Sequence, residues 1–185
     1  MNPAGTVGRD ERLRLFLALE LPETVEDALR DWGVRHLEGG RRLETFHVTL
    51  AFLGSRPRSE LDAILDALRE SAAETLAGAV PITLEPVRYR KTRSVGMLVL
   101  DDAELAATRL AGRLQKRLEK LRVYERENRP WLPHVTVVRF RERPRLEPPV
   151  PETGPFAPSG AAAFVSRLRP GGAQYEVLDS CPLCT

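Results

Sequence analysis

Sulfur and imidazole are scarce in this 185-residue chain, which has two cysteines and three histidines. The cysteines, Cys181 and Cys184, form a Cys-x-x-Cys pair at the C-terminal end. A redox pair of that spacing normally opens a helix, and a zinc site needs about four ligands, for which there is no second cysteine pair. They read as tail thiols without a function, in a C-terminal tail over 181–185. No apolar run approaches the ~18–20 residues of a membrane span. The stretch 1–11 lacks the apolar segment of a secretory signal and reads as a flexible N-terminal tail, so a cytoplasmic protein is expected. A charge excess is lacking too: 28 Lys and Arg against 26 Asp and Glu leave a net +2. That balance permits a nucleic-acid partner without requiring one, because a total hides clustering.

What is present is 42% hydrophobic residues, enough for one well-packed domain or two small lobes. Leu13, Leu15, Leu17 and Leu19 alternate with Arg14, Phe16, Ala18 and Glu20, the pattern of a strand with one leucine face. Pro22 suits the first turn of a helix carrying Val25, Leu29, Trp32 and His36, which Gly39-Gly40 stops. A strand over 46–53 follows, then a turn over 54–59. Leu61, Ile64, Leu65 and Leu68 mark a second amphipathic helix. Strands are expected over 81–89 and 95–100, around a basic connector of Arg88, Arg90, Lys91 and Arg93. A helix over 102–123 buries Leu110, Leu114, Leu118 and Leu121 and carries a basic stripe of Arg109, Arg113, Lys116, Arg117 and Lys120. A strand over 132–141, an irregular Pro-rich stretch over 143–158, and strands over 161–168 and 174–178 about the turn at Pro170-Gly171-Gly172 complete the chain. Strands and helices mix without strict alternation, which predicts an α+β fold with two similar halves rather than a doubly wound sheet.

Two of the three histidines stand in near-identical tetrapeptides, His47-Val48-Thr49-Leu50 and His134-Val135-Thr136-Val137. Each lies in an apolar, strand-like segment, one in each half. Side chains alternate along a strand, so His47 and Thr49 share a face, as do His134 and Thr136. A lone His-x-Thr triplet carries no weight; two matched copies do. Histidine exchanges protons near neutrality. A pair supplies one base to take a proton from water and one acid to protonate a leaving oxygen. Threonine hydroxyls and an arginine can hold the oxygens of a phosphate. That set needs no metal and suits a phosphodiester with a neighbouring alkoxide as leaving group, such as a 2′,3′-cyclic phosphate.

These residues carry a family resemblance. The chain resembles the 2H phosphoesterase superfamily, and within it the bacterial RNA 2′,3′-cyclic phosphodiesterases, also called 2′–5′ RNA ligases. The matching stretches are Arg14-Leu15-Phe16-Leu17-Ala18-Leu19-Glu20-Leu21-Pro22, Phe46 to Gly54, and Arg129 to Phe140. The resemblance implies a single domain over 12–180, bilobal, whose two pseudo-two-fold related lobes have antiparallel sheets lining a central cleft. It implies metal-independent hydrolysis of RNA 2′,3′-cyclic phosphate ends to 2′-phosphates, with 2′–5′ ligation as a further capacity. His47 takes the place of the acid to the 3′-oxygen and His134 that of the base activating water. Thr49, Thr136 and Arg139 take the phosphate-binding places. No cofactor and no metal are implied. The partners implied are RNA ends, tRNA fragments among them, or small cyclic nucleotides, with the protein a monomer off the membrane. Residues 81–100 depart from the Gly- and Phe-rich pattern common in the family. Arg139 lies five residues after His134 and in an ideal strand would face the other way; it reaches the phosphate only if the strand twists, bulges or ends. Otherwise it is one of the surface series Arg139, Arg141, Arg143, Arg145.

Other residues have ordinary readings beside functional ones. His36 suits a helix C-terminus by its charge. The basic residues of 88–93 and 109–120 suit an RNA backbone, or solvent for the helical group. Tyr89, Tyr124 or Trp131 can stack on a base, or pack in the core. Competing functions are a 2H esterase for a small cyclic nucleotide or an ADP-ribose cyclic phosphate, and a non-catalytic RNA- or nucleotide-binding module.

Overall fold

The computed structural model describes residues 11–78, 80–142, 145–169 and 172–183. The N-terminal tail expected over 1–11 lies almost wholly outside them, as do Cys184, Arg143 and the Pro170-Gly171 part of the expected turn. The described chain is an α+β fold built on one curled antiparallel sheet. In chain order its elements are β1 (Arg12–Glu20), α1 (Glu23–His36), β2 (Arg41–Arg42), β3 (His47–Pro57), a 3-10 turn at Arg58–Glu60, α2 (Leu61–Leu76), β4 (Glu85–Lys91), β5 (Val95–Asp101), α3 (Ala106–Lys120), β6 (His134–Arg139), β7 (Gly160–Arg169) and β8 (Gly172–Pro182).

The sheet runs β4-β5-β6-β3-β1-β7-β8, with the short β2 added beside β6. The link between β6 and β3 is one residue pair, Val48 with Val135. Beyond it the strands part, and β2 takes over the edge of β6 at Val138 and Arg139. The alternation read in β1 holds: Leu13, Leu15, Leu17 and Leu19 are buried in one core with Ile64 and Leu68 of α2 and Leu110 and Leu114 of α3. Truncating Leu17 or Leu19, which are fully buried, costs roughly 2–5 kcal/mol. Among the described residues, no helix is long and apolar enough to cross a membrane.

Several boundaries differ from the sequence expectations. Residues 54–57 are not a turn. They continue β3, because Arg12 to Leu15 of β1 pair with Pro57 back to Gly54. Gly54 holds φ +67, which a strand irregularity needs and an ordinary side chain resists. Residues 81–84 precede β4, and Leu84 bridges instead to Phe156. β8 is longer than 174–178, so residues 181 and 182 are strand rather than tail: Cys181 pairs with Ala161 and packs against the core. Burial raises its thiol pKa, the opposite of what a reactive cysteine needs.

Part of the basic stripe of α3 faces protein. Arg117 pairs with Glu70 and Glu74 of α2, and Arg113 with Glu74 and the Thr75 hydroxyl. These residues join two helices and do not form an open anion-binding surface. His36 sits at the end of α1 beside Trp32, as its ordinary reading has it.

Candidate active site

The single Val48–Val135 pair fixes the geometry of both motifs. In an antiparallel pair, the neighbours of the central residues fall opposite one another. His47 is therefore set against Thr136, and Thr49 against His134. Val48 and Val135 are buried on one face. The two histidines and two threonines point from the other, and all four are half-buried. The indole N–H of Trp131 donates to the Thr49 carbonyl at 2.9 Å and ties the approach to β6 onto β3.

Immediately after each threonine the strand bulges. In β3, Ala18 pairs with Thr49 and Leu17 with Ala51, so Leu50 has no opposite residue. In β6, Met97 pairs with Thr136 and Gly96 with Val138, so Val137 has none. An unpaired bulge leaves a carbonyl to satisfy. Gln115 of α3, itself buried, donates to the Leu50 carbonyl at 2.8 Å. The Leu43 N–H donates to the Val137 carbonyl at 3.0 Å. One extra residue reverses the alternation. The third residue after each threonine, Phe52 in β3 and Arg139 in β6, thus returns to the face of the motif. The strand irregularity that Arg139 requires is this bulge.

A cavity of about 360 Å³ opens over that face. His47, Thr49, Thr136 and Arg139 line it, together with Arg14, Phe16, Arg41 and Phe52. Ser166 and Leu168 of β7 and Ala173 and Tyr175 of β8 close the far wall. His134 is not a lining residue, but its charge is felt by His47. Among the described residues, no aspartate or glutamate lines the cavity. Nor, among the described residues, do three or more His, Cys, Asp or Glu side chains come together to hold a metal ion. The Arg41 guanidinium reaches across to the β7–β8 hairpin, where a Cβ on Gly172 would meet its Nη1 at 2.5 Å.

The two histidines are held differently. The His47 ring lies 4.8 Å from Phe16, 5.4 Å from Tyr175 and 6.0 Å from Phe164, centre to centre. Burial, and then the charges of His134 and Arg139, push its pKa down from 6.5 to about 4. Nδ1 of His134 lies 2.8 Å from the Leu132 carbonyl. A carbonyl only accepts, so Nδ1 carries the proton and Nε2 keeps its lone pair when the ring is neutral.

None of the three aromatics singled out in the sequence lines the cavity. Tyr89 and Tyr124 pack against the core, and Trp131 serves the β3–β6 seam. The aromatic lining comes from Phe16, Phe52 and Tyr175. Arg88, Arg90, Lys91 and Arg93 also lie away from it, and Lys91 pairs with Glu147. A signal for Phe52 was present: it stands at the same distance from Thr49 as Arg139 does from Thr136. Arg14, Arg41 and Tyr175 had no such signal, because distant pairing brings them in.

Comparison with known proteins adds to this geometry. The model of the 2′-5′ RNA ligase superfamily matches residues 21–166. The RNA 2′,3′-cyclic phosphodiesterase of Thermus thermophilus is 32% identical over 181 residues, covering 92% of this chain and 90% of that protein. The RNA 2′,3′-cyclic phosphodiesterase of Escherichia coli is 26% identical over 177 residues, covering 91% and 95%. The crystal structure of E. coli LigT complexed with 3′-AMP superposes with a TM-score of 0.79 at 23% identity, covering 95% of this chain and all of that one, which is a likeness of fold.

Proposed function

The chain belongs to the 2′-5′ RNA ligase superfamily, and we propose that it hydrolyses RNA 2′,3′-cyclic phosphate ends to 2′-phosphates without a metal. The observation that carries this reading is the Val48–Val135 pair, which sets two His-x-Thr motifs as a square on one face of a cationic cavity. An axis through that pair exchanges His47 with His134 and Thr49 with Thr136. We extend it to the fold and read two pseudo-two-fold related lobes meeting at this seam.

The cyclic phosphate rests on the square. The Thr49 and Thr136 hydroxyls donate to its non-bridging oxygens, and Arg139 offsets the charge that grows there. His134 is the base. Its Nε2 takes a proton from water, and the imidazolium that forms stays oriented by the Leu132 carbonyl. The water oxygen bonds to phosphorus and the bond to the 3′-oxygen breaks. His47 gives that oxygen its proton, leaving a 2′-phosphate. The protein's own groups hold His47 at a pKa of about 4, so its ring is neutral at pH 7. With His134 neutral as the base, the remaining charge that opposes protonation is Arg139, and a bound phosphate anion counters it, so substrate binding favours the proton the acid needs. With a 5′-hydroxyl in place of water, the same pair forms a 2′–5′ linkage. That the E. coli relative's fold holds 3′-AMP supports a nucleotide in this cavity.

The test is to incubate the protein with EDTA and a short RNA ending in a 2′,3′-cyclic phosphate. A 2′-phosphate product is expected, at an undiminished rate. A 3′-phosphate product, no product, or activity that needs Mn²⁺ or Zn²⁺ overturns the reading.

A further inference from the structure

Three arginines line the cavity, more than one phosphodiester charge requires. Arg41 is engaged with the β7–β8 hairpin. Among the described residues neither Arg139 nor Arg14 pairs with a carboxylate. Arg30, Arg56, Arg69, Arg113 and Arg117 all do. The contact of Arg14 is with the Phe52 ring, its guanidinium carbon 5.1 Å from the ring centre.

The two unpaired cations lie at opposite ends of the His/Thr square. Arg139 continues β6 beyond Thr136, while Phe52 continues β3 beyond Thr49. Because the strands are antiparallel, these directions diverge. Arg14 belongs to the Phe52 end, since Phe16 pairs with Phe52 and Arg14 with Ser55. Four residue steps along β1 lead from Arg14 to Ala18, which pairs with Thr49; that is about 13 Å of strand. One nucleoside and a leaning arginine side chain fill such a gap. Phe52 stands between, 51% exposed, and offers a face to a base. The Ser166 and Tyr175 hydroxyls lie in the row next to Arg14.

We propose that Arg14 is a specificity residue that binds a second phosphate, the one 5′ to the terminal nucleoside, while that nucleoside's base stacks on Phe52. The cavity then selects an RNA end, or a nucleotide with a 5′-phosphate, over a bare nucleoside cyclic phosphate. The inference rests on the cyclic phosphodiesterase reading for its reaction, but its subsite can be tested apart from it.

The first measurement is kcat/KM for adenosine 2′,3′-cyclic phosphate with and without a 5′-phosphate. The second is the Kd of adenosine 3′,5′-bisphosphate against that of adenosine 3′-monophosphate. A charge-assisted contact predicts a preference of ~10-fold or more for the 5′-phosphorylated member of each pair. In Arg14→Gln both ratios should fall to about 2 or below, where 2 is the scale of an exposed charge effect. Arg14→Lys should fall between, since it keeps the charge and loses the planar fork. The wild-type preference should also shrink with added salt. A wild-type ratio near one, or a ratio that survives Arg14→Gln, overturns the subsite. If no cyclic phosphate is cleaved but the bisphosphate preference is present and depends on Arg14, the reaction is wrong and the subsite stands.

Discussion

β3 and β6 carry near-identical His-Val-Thr tetrapeptides and matching bulges, and they use them for different ends. In β3 the histidine is enclosed by Phe16, Phe164 and Tyr175, and the bulge presents Phe52. In β6 the histidine is anchored by the Leu132 carbonyl, and the bulge presents Arg139. A shared backbone device places equivalent groups, while the surroundings wall one histidine with aromatic rings and anchor the other to a carbonyl, a difference the proposed reaction uses to assign acid and base. One end of the cavity becomes an aromatic shelf and the other a cationic stop. Two carboxylates in different environments divide acid and base roles in other enzymes by the same logic.

The strongest way to break this comparison is to remove either histidine. His47→Ala and His134→Ala should each lower turnover by at least ~10²-fold, the scale for a positioned acid or base. The double variant should lose less than the product of the two, because the residues act as a unit. Near-normal turnover in either single variant would make that histidine structural and end the acid–base pairing. Below that effect come the hydroxyls. Thr49→Val and Thr136→Val keep shape and strand propensity, and each should cost roughly 10–100-fold in kcat/KM through one lost bond to a charged oxygen. Their melting temperatures should hold. Melting that drops sharply while turnover holds would assign the hydroxyls to the strands instead.

The bulges can be separated in turn. Only the β3 bulge has its carbonyl served by a side chain, Gln115. Gln115→Leu leaves the Leu50 carbonyl unpaired among core side chains, at a cost of about 1–3 kcal/mol. That should lower the denaturant midpoint at an unchanged slope. It should also disorder the Phe52 end more than the Arg139 end, seen as a larger loss of amide protection in β3 than in β6. Equal loss in the two strands would mean that Gln115 supports the core at large.

Much of this was legible in the residues. The leucine alternation of β1, the helix carrying Ile64, Leu65 and Leu68, and the presence of two matched His-x-Thr strands follow from period and repetition, which are local. What escaped was set by distant partners. Residues 54–57 look like a turn, yet β1 recruits them as strand. Arg113 and Arg117 look like a free basic stripe, yet Glu70 and Glu74 lie on a helix far off in the chain. Cys181 looks like tail until Ala161 pairs with it. At the site, parity was the obstacle. An unbroken strand sends Arg139 away from the face of His134 and Thr136, and the consecutive burial of Val137 and Val138 marks the bulge that brings it back.

The smallest effect expected tests the enclosure of the β3 histidine by pH. His47 is held at a pKa of about 4, against 6.5 in an exposed chain, first by burial and then by His134 and Arg139. Between those values the unfolded chain binds a proton that the folded protein refuses. Stability should therefore rise with pH across this window and be complete above about pH 6.5. Falling from pH 7 to pH 5.5 should remove about 1 kcal/mol through this group alone. Other groups titrate there too, so the useful quantity is the difference from His47→Gln, whose uncharged amide has no such proton. The wild type should lose more stability than the variant on acidification, by that amount. Adding inorganic phosphate should shrink the difference, because an anion on the square offsets two of the three causes and raises the His47 pKa. If the wild type and His47→Gln run parallel from pH 7 to pH 5.5, His47 already takes up its proton freely without added phosphate. Substrate-linked protonation would then be unnecessary, and the aromatic enclosure of the β3 histidine would leave its proton uptake unchanged.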